Sequence, residues 1–570
     1  MQTPTVLSPD STYRIGIKDA SLRPAAAWLC DLLTPALHTA LPLTDTRVSP
    51  CLFLQTDNAL GTGYTIVADG ADMVITGADL SETMRGISVF LQTLCGIRMF
   101  SADGVTYPAA LPPIPGDTNL RGIPPFEYTE TDWFSPKHPD YALFHHLTGT
   151  RYRRIPKELG GGISFLSSFA HTLTTEFCSA DTYFDTHPKY FALRNGRRTK
   201  KQLCLSNPAV AALVTDEVLA LLKEKHDPEA PLQIVSLSQA DNLSFCRCPA
   251  CRALDKQHGS HAGSLLTFVN RVAQAVKAAG YDNVALETFA YQYTRKPPKD
   301  LRPAPNVLVR LCAIECCFSH PLSDPHCKSN AAFAADLREW ATLCDRLYVW
   351  DYTTNYSHFA GPFPNFRVLA PNMRFYAENG VKGIYSEGNY TLKAPDTEFG
   401  ELRAYLLSRL FADPTCDIEK EREAFLTATY GAGGKSIGAF LDLIGENAAR
   451  RHLGIFQPMR KTLSLTREEI RRCDALWEQA LTATGRAGQN ARRAHLCWRY
   501  WKMKNRKSEF RNPVSYRRHR AALFCDLQQA GMTLLQESAP ARSFWNSLFQ
   551  WLFFAAYTPV SRVMRWLYRV

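Results

Sequence analysis

Apolar and polar positions change period twice along the chain, and the three stretches so divided are different kinds of structure. Over residues 1–115, "TYRIGI" alternates as a strand does and "PAAAWLCDLLTPAL" repeats its apolar residues at helical spacing. Two β-like runs in "GYTIVADGADMVITGAD" flank a Gly and Asp turn, and "TMRGISVFLQTLCGIRMF" reads as a helix stopping near Gly96. These elements predict a small α/β domain. The proline-rich "YPAALPPIPGD" ends it, because proline continues neither a helix nor a central strand.

From 116 to 395 the pattern becomes a repeated unit: a short apolar or β-branched run, a polar and aromatic tail, then a helical stretch such as "GSLLTFVNRVAQAVKAAG". Eight runs read as strands, ending in "RGIPPFEYTE", "GTRYRRI", "GISFLSSFAHT", "QIVSLSQADN", "NVALETFAYQYT", "NVLVRLCAIECC", "RLYVWDYTTNY" and "GIYSEGNY". Eight strand-then-helix units predict an α/β fold of the (β/α)8 TIM-like barrel type. An open doubly wound sheet is the alternative, but no Gly-rich phosphate loop supports it. Residues 396–570 carry helical periodicity, as in "KSIGAFLDLIGENAARRHL" and "REEIRRCDALWEQALTATG", and predict a helical C-terminal region.

Charge adds one asymmetry. The net charge is +11, yet residues 451–570 alone hold 22 Lys and Arg against 7 Asp and Glu. Aromatics and cations mix in "WRYWKMKNRKSEFRNPVSYRRHR", which suggests weak contact with an anionic surface. Nucleic acid is not expected as a partner, since no reading motif accompanies the charge. "LFQWLFFAAY", at 548–557, is too short for a transmembrane segment and reads as a docking or interfacial helix. The N-terminus shows no basic start followed by an apolar run, so no signal peptide is visible. Localisation stays open, with two expectations: a cytoplasmic protein as the sequence stands, or a secreted one if a leader has been trimmed.

In a parallel barrel the side chains at the C-terminal ends of the strands build the active site. That rule nominates Glu127, His171, Asp241, Asn242, Tyr291, Glu315, Trp350, Asp351 and Glu387. Several carboxylates with Trp and Tyr on one face suit the cleavage of a glycosidic bond. One group protonates the leaving oxygen, another stabilises the cationic anomeric carbon, and aromatic rings stack on sugars. The sequence carries no nucleotide loop, no His-x-x-x-His pair and no serine elbow, so no cofactor is called for.

Long motifs sharpen this reading. "DTYFDTHPKYFALRNGRRTKKQLCLSNPAV", "SLSQADN", "CRCPACRALD", "FAYQYTRKPP", "RLCAIECCFSHPL" and "YVWDYTTNYSHFAGPFPNFRVLAPN" resemble the bacterial domain-of-unknown-function family 4838, recognised also as glycoside hydrolase family 163. "GYTIVADGADMVITG" and "RGISVFLQTLCGIRMF" resemble the small α/β domain that precedes the barrel in β-hexosaminidases and α-glucuronidases. The resemblance implies an endo-β-N-acetylglucosaminidase acting on the chitobiose core of complex N-glycans, with an oligosaccharide or N-glycoprotein as substrate. It further implies a retaining, substrate-assisted route in which the sugar's own acetamide is the nucleophile. Hexosaminidases place an adjacent Asp-Glu pair after strand 4. Here Asp241 is followed by Asn242, so Asp241 is expected to orient the acetamide and the acid must come from another strand. Glu315, among apolar and Cys neighbours, is the expected proton donor. Glu387 is expected to bind sugar hydroxyls, with acid as a second role. An exo-acting hexosaminidase or α-glucuronidase-like enzyme and a non-catalytic glycan-binding barrel are the alternatives.

The seventeen cysteines, odd in number and spread along the chain, read as free thiols. Cys246, Cys248 and Cys251 have knuckle-like spacing, and Cys204 is the nearest fourth ligand for a structural zinc. Buried thiols that shape the loop are the other reading. No catalytic metal is expected.

Overall fold

The computed structural model describes residues 7–8, 12–148, 155–506 and 513–537. The N-terminal strands are β1 (Arg14–Ile17), β2 (Leu43–Thr44), β3 (Cys51–Thr56), β4 (Tyr64–Asp69) and β5 (Asp72–Gly77). β4 and β5 form a tight antiparallel pair, and Gly70 in their turn takes a φ of 64°, which glycine adopts without steric cost. The Leu80–Val89 helix begins where Asp79 accepts a hydrogen bond from the amide of Glu82, and after one wider turn the chain reverses at Gly96, φ 68°. A hairpin of β6 (Arg98–Ser101) and β7 (Gly104–Thr106) follows.

The stretch "RGIPPFEYTE", expected to end one barrel strand, is divided. β8 (Asn119–Gly122) returns antiparallel to β4 and completes the N-terminal sheet, order β2-β1-β3-β5-β4-β8. β9 (Tyr128–Thr131) enters the barrel. Pro124 and Pro125 lie between them and have no amide to give to either ladder.

The barrel strands are β9, β10 (Ile163–Phe165), β13 (Leu232–Ser236), β14 (Val284–Ala290), β15 (Val307–Cys312), β16 (Leu347–Tyr352) and β17 (Gly383–Glu387). A hairpin of β11 (Phe191–Arg194) and β12 (Arg197–Leu203) is inserted between β10 and β13. Among the described residues the barrel has seven strands, all parallel, in the order β10-β13-β14-β15-β16-β17-β9, a nearly closed barrel. The sheet's two edges are β9 and β10, and the run between them expected as another strand, "GTRYRRI", lies outside the described residues except for Ile155. Helices Pro208–Lys225, Ala262–Ala278, Lys328–Leu343 and Phe366–Glu378 connect strands around the outside, which is what a parallel pairing requires of its crossovers.

Inside the barrel, alternate residues of each strand meet in layers. Arg310 of β15 pairs with Glu287 of β14 at 2.6 Å, and both side chains are fully buried. The rings of Tyr128, Phe169 and Tyr348 surround the guanidinium at 5.1–5.4 Å.

The C-terminal region packs as helices, with Ile418–Tyr430, Gly434–Ala448, Arg467–Ala480, Gly485–Asn505 and Pro513–Gln529 as its long elements. Thr466 and Glu469 form a reciprocal capping box at the start of the third. Its aromatic core joins Phe440 to Trp477 and Trp498. Among the described residues no helix is long and apolar enough to cross a membrane, and "LFQWLFFAAY" lies outside them.

Candidate active site

At the C-terminal end of the strands a cavity of about 330 Å³ opens, a size at the lower end of small-ligand clefts. Five of the residues expected there line it: His171, Asp241, Tyr291, Trp350 and Glu387.

Asp241 reaches this wall because β13 stays extended past its last ladder residue. Leu237 donates to the carbonyl of Glu287 at 2.6 Å, and Gln239 donates to Thr294 Oγ1 at 2.8 Å. The Asp241 carboxylate then accepts hydrogen bonds from Tyr291 Oη at 2.7 Å and Gln292 Nε2 at 3.3 Å, which fix its direction. Burial, then the bond to Asp241, pushes the Tyr291 phenol well above its ordinary pKa, so it stays a donor. His171 sits in the left-handed region at φ 60° and is held by two bonds. Its amide donates to Ser238 Oγ at 2.6 Å, and its Nδ1 meets the Gln239 carbonyl at 2.7 Å. A carbonyl only accepts, so Nδ1 carries a proton here.

Glu387 closes β17 and is 7% exposed. The indole Nε1 of Trp350 donates to its Oε2 at 2.8 Å, and the amide and hydroxyl of Thr353 hold its carbonyl, each at 2.8 Å. The turn that follows is pinned by Asp132, which accepts from Tyr385 Oη at 2.7 Å and from the Gly388 amide at 2.6 Å. A Cβ at Gly388 would lie 2.5 Å from the Trp133 ring, so only glycine passes here.

Four expected site residues lie elsewhere. Glu315 is 42% exposed and pairs with Arg295 at 3.2 Å; Arg295 also binds Asp336 at 2.8 Å. Its neighbours Cys316 and Cys317 are buried, but the turn after β15 directs the glutamate outward, so the apolar setting expected to make it an acid is missing. Glu127 precedes β9 rather than following a strand. It stands at the N-terminal end of the barrel, bound to Arg346 at 2.8 Å and to Tyr348 Oη at 3.0 Å. Asp351 follows Trp350 in β16, and successive strand residues face opposite sides. It is buried toward Tyr376 of the Phe366–Glu378 helix, and that burial pushes its carboxyl up to about 7. Asn242 binds the Lys201 carbonyl at 3.0 Å and the Ser244 amide at 3.0 Å, tying the loop to β12.

The cavity also holds residues the sequence reading passed over. Tyr352 continues the inward row of β16, and Tyr356 and Tyr390 follow strand ends, signals that were present in the alternation. Ile455, Phe456 and Glu537 come from the C-terminal region, where no local signal points to the barrel. Glu537 accepts from Tyr390 Oη at 3.3 Å. Burial first, with the charge of Asp241 nearby, raises its carboxyl above the usual range. The cavity therefore combines three carboxylates with an aromatic wall, equipment for acid catalysis and for stabilising a cation.

The four cysteines Cys204, Cys246, Cys248 and Cys251 are all buried and converge behind the Asp241 loop.

A family profile described as "Domain of unknown function (DUF4838)" matches residues 99–442. No curated protein matches the sequence. Among solved structures, a GH138 enzyme targeting pectin rhamnogalacturonan II is similar at 10% identity and a TM-score of 0.45, over 91% of this chain and 72% of that one. The GH20 β-N-acetylhexosaminidase of Streptomyces coelicolor A3(2) gives 13% and 0.42, over 75% and 92%. The N-acetyl-β-hexosaminidase of Streptomyces plicatus gives 13% and 0.44, over 75% and 91%.

Proposed function

The chain belongs to the DUF4838 family, and from that premise we propose that it is a glycoside hydrolase whose active site is the cavity at the C-terminal end of the barrel. The observation that carries this reading is the meeting of Asp241 and Glu387 in one aromatic-walled cavity at that end. Within this reading the substrate is an oligosaccharide carrying N-acetylglucosamine, and the enzyme is a retaining, substrate-assisted endo-β-N-acetylglucosaminidase of complex N-glycans. Asp241, held by Tyr291 and Gln292, orients the acetamide so that its carbonyl oxygen attacks the anomeric carbon. Glu387, with Glu315 facing outward, donates the proton to the leaving oxygen and then takes one from the water that opens the oxazolinium intermediate. Trp350, Tyr352 and Tyr356 supply faces on which a sugar ring stacks.

A second reading, an exo-acting enzyme, draws support from the modest cavity and from its wall of C-terminal residues, Ile455, Phe456 and Glu537. Incubation of the full chain with a complex-type N-glycoprotein and with small aryl glycosides of N-acetylglucosamine tests both. Release of intact glycan supports the endo reading, and turnover of the aryl glycoside alone supports the exo reading. Saturable binding without turnover of either, at several pH values, makes the protein a glycan-binding barrel and overturns the enzymatic reading.

A further inference from the structure

We propose that the protein holds two structural zinc ions, one bound by Cys317, His320, Cys327 and His452 and the other by Cys204, Cys246, Cys248 and Cys251. In each group the four ligand atoms lie within 4.8 Å of one another.

The separations match a tetrahedral metal site. Zinc bonds of about 2.3 Å to sulfur and about 2.0–2.1 Å to nitrogen make tetrahedron edges of about 3.8 Å between two sulfurs and about 3.6 Å between sulfur and nitrogen. Cys317 Sγ lies 3.4 Å from His320 Nδ1, and Cys327 Sγ lies 3.5 Å from His452 Nδ1. In the second group Cys204 Sγ lies 3.6 Å from Cys248 Sγ and 4.0 Å from Cys251 Sγ. Two thiolates with two imidazoles, or four thiolates, are soft sets that favour zinc in a closed structural site.

The surroundings prepare these atoms as ligands. His320 Nε2 meets the Ala449 carbonyl at 2.9 Å, so Nε2 carries the proton and the lone pair is left on Nδ1, beside Cys317. Asn330 is fully buried and shapes the loop, accepting from the Cys317 amide at 2.7 Å and donating to the carbonyls of Cys317, His320 and Pro321. In the second group backbone amides of Leu193 and Cys251 point at the sulfurs of Cys246 and Cys248 at 3.3 and 3.4 Å, the environment a thiolate requires.

Both ions would clamp loops that follow barrel strands. The first joins the loop after β15 to the C-terminal region, where the Phe318 amide also donates to the Leu453 carbonyl at 2.8 Å. The second joins the loop carrying Asp241 to the end of β12.

The full chain, purified under reducing conditions from zinc-supplied cells, should carry about two zinc ions by mass spectrometry of the metal, and His452→Ala and Cys251→Ser should each carry about one. Cobalt reconstitution separates the centres by their thiolate number, and its wild-type reading needs no variant. Thiolate-to-cobalt absorption in the wild type should correspond to six thiolates, falling to four in His452→Ala and to two in Cys251→Ser. A wild-type chain that binds neither zinc nor cobalt while its thiols remain reduced overturns the proposal, as does recovery of these cysteines as disulfides. One zinc in the wild type, unchanged in His452→Ala, removes the Cys and His centre.

Discussion

Glu127 and Glu387 each accept a hydrogen bond from an inward-facing residue of β16, Tyr348 at 3.0 Å and Trp350 at 2.8 Å, yet they stand at opposite ends of the barrel. Glu127 is about a third exposed and carries the guanidinium of Arg346 at 2.8 Å, so its charge is matched locally. Glu387 is nearly buried, faces the same cavity as Asp241 and lies under aromatic rings. Residue type and the donor strand are shared. The end of the strand at which each glutamate sits separates an ion pair matched at the surface from a nearly buried carboxylate that faces the cavity.

The largest expected break in this comparison is kinetic. Glu387→Gln should lower kcat/KM on a natural glycan by about 10²–10⁴, the ordinary contribution of a general acid, and lower it far less on aryl substrates with a good leaving group. Under the proposed substrate-assisted route, in which the acetamide is oriented whatever leaves, Asp241→Asn should reduce turnover of both substrates. Steady-state kinetics on the two substrate types check both statements.

Asp351 sharpens the contrast between the inner and outer faces of β16. Its folded carboxyl is raised by burial to about 7 from 3.8, so the native state binds the proton more tightly than the unfolded chain. The stability this group contributes is complete below about pH 4 and is lost as the pH rises toward 7. Asp351→Asn removes that dependence. Its unfolding free energy relative to wild type should rise across this window by up to about 4 kcal/mol, from about three pH units at 1.36 kcal/mol each. Denaturant unfolding of both proteins at pH 4.5 and 7.5 measures the difference. A variant that tracks the wild type at both pH values would place Asp351 in solvent.

The smallest effects belong to the partly exposed ion pairs. Glu315→Gln should leave kcat/KM within about threefold, since its partner Arg295 lies outside the cavity lining. Glu127→Gln should cost no more than about 1 kcal/mol of stability and leave turnover unchanged.

Much of the barrel was legible because strand and helix periods alternate so regularly; the runs around Leu232, Val284, Val307, Leu347 and Gly383 all form strands. Inward and outward faces were legible too, yet naming Trp350 and Asp351 together overlooked a period of two that sends neighbours to opposite sides. Glu127 was misplaced because Pro124 and Pro125 divide what reads as one strand. Glu315 misled because burial of chain neighbours says little about a side chain in a turn. Glu537 and His452 could not be read at all, since each meets the barrel only through tertiary packing of the C-terminal region. The cysteine knuckle was visible by its spacing, whereas the Cys317 group spans 125 residues between Cys327 and His452.

The most direct test of the account is kcat/KM for glycan release from a complex-type N-glycoprotein by wild type, Glu387→Gln and Glu315→Gln measured side by side. The account predicts cleavage by the wild type, near-complete loss in Glu387→Gln and near-wild-type rates in Glu315→Gln. Full activity in Glu387→Gln with loss in Glu315→Gln would contradict it and move the acid to the outer face of the β15 loop.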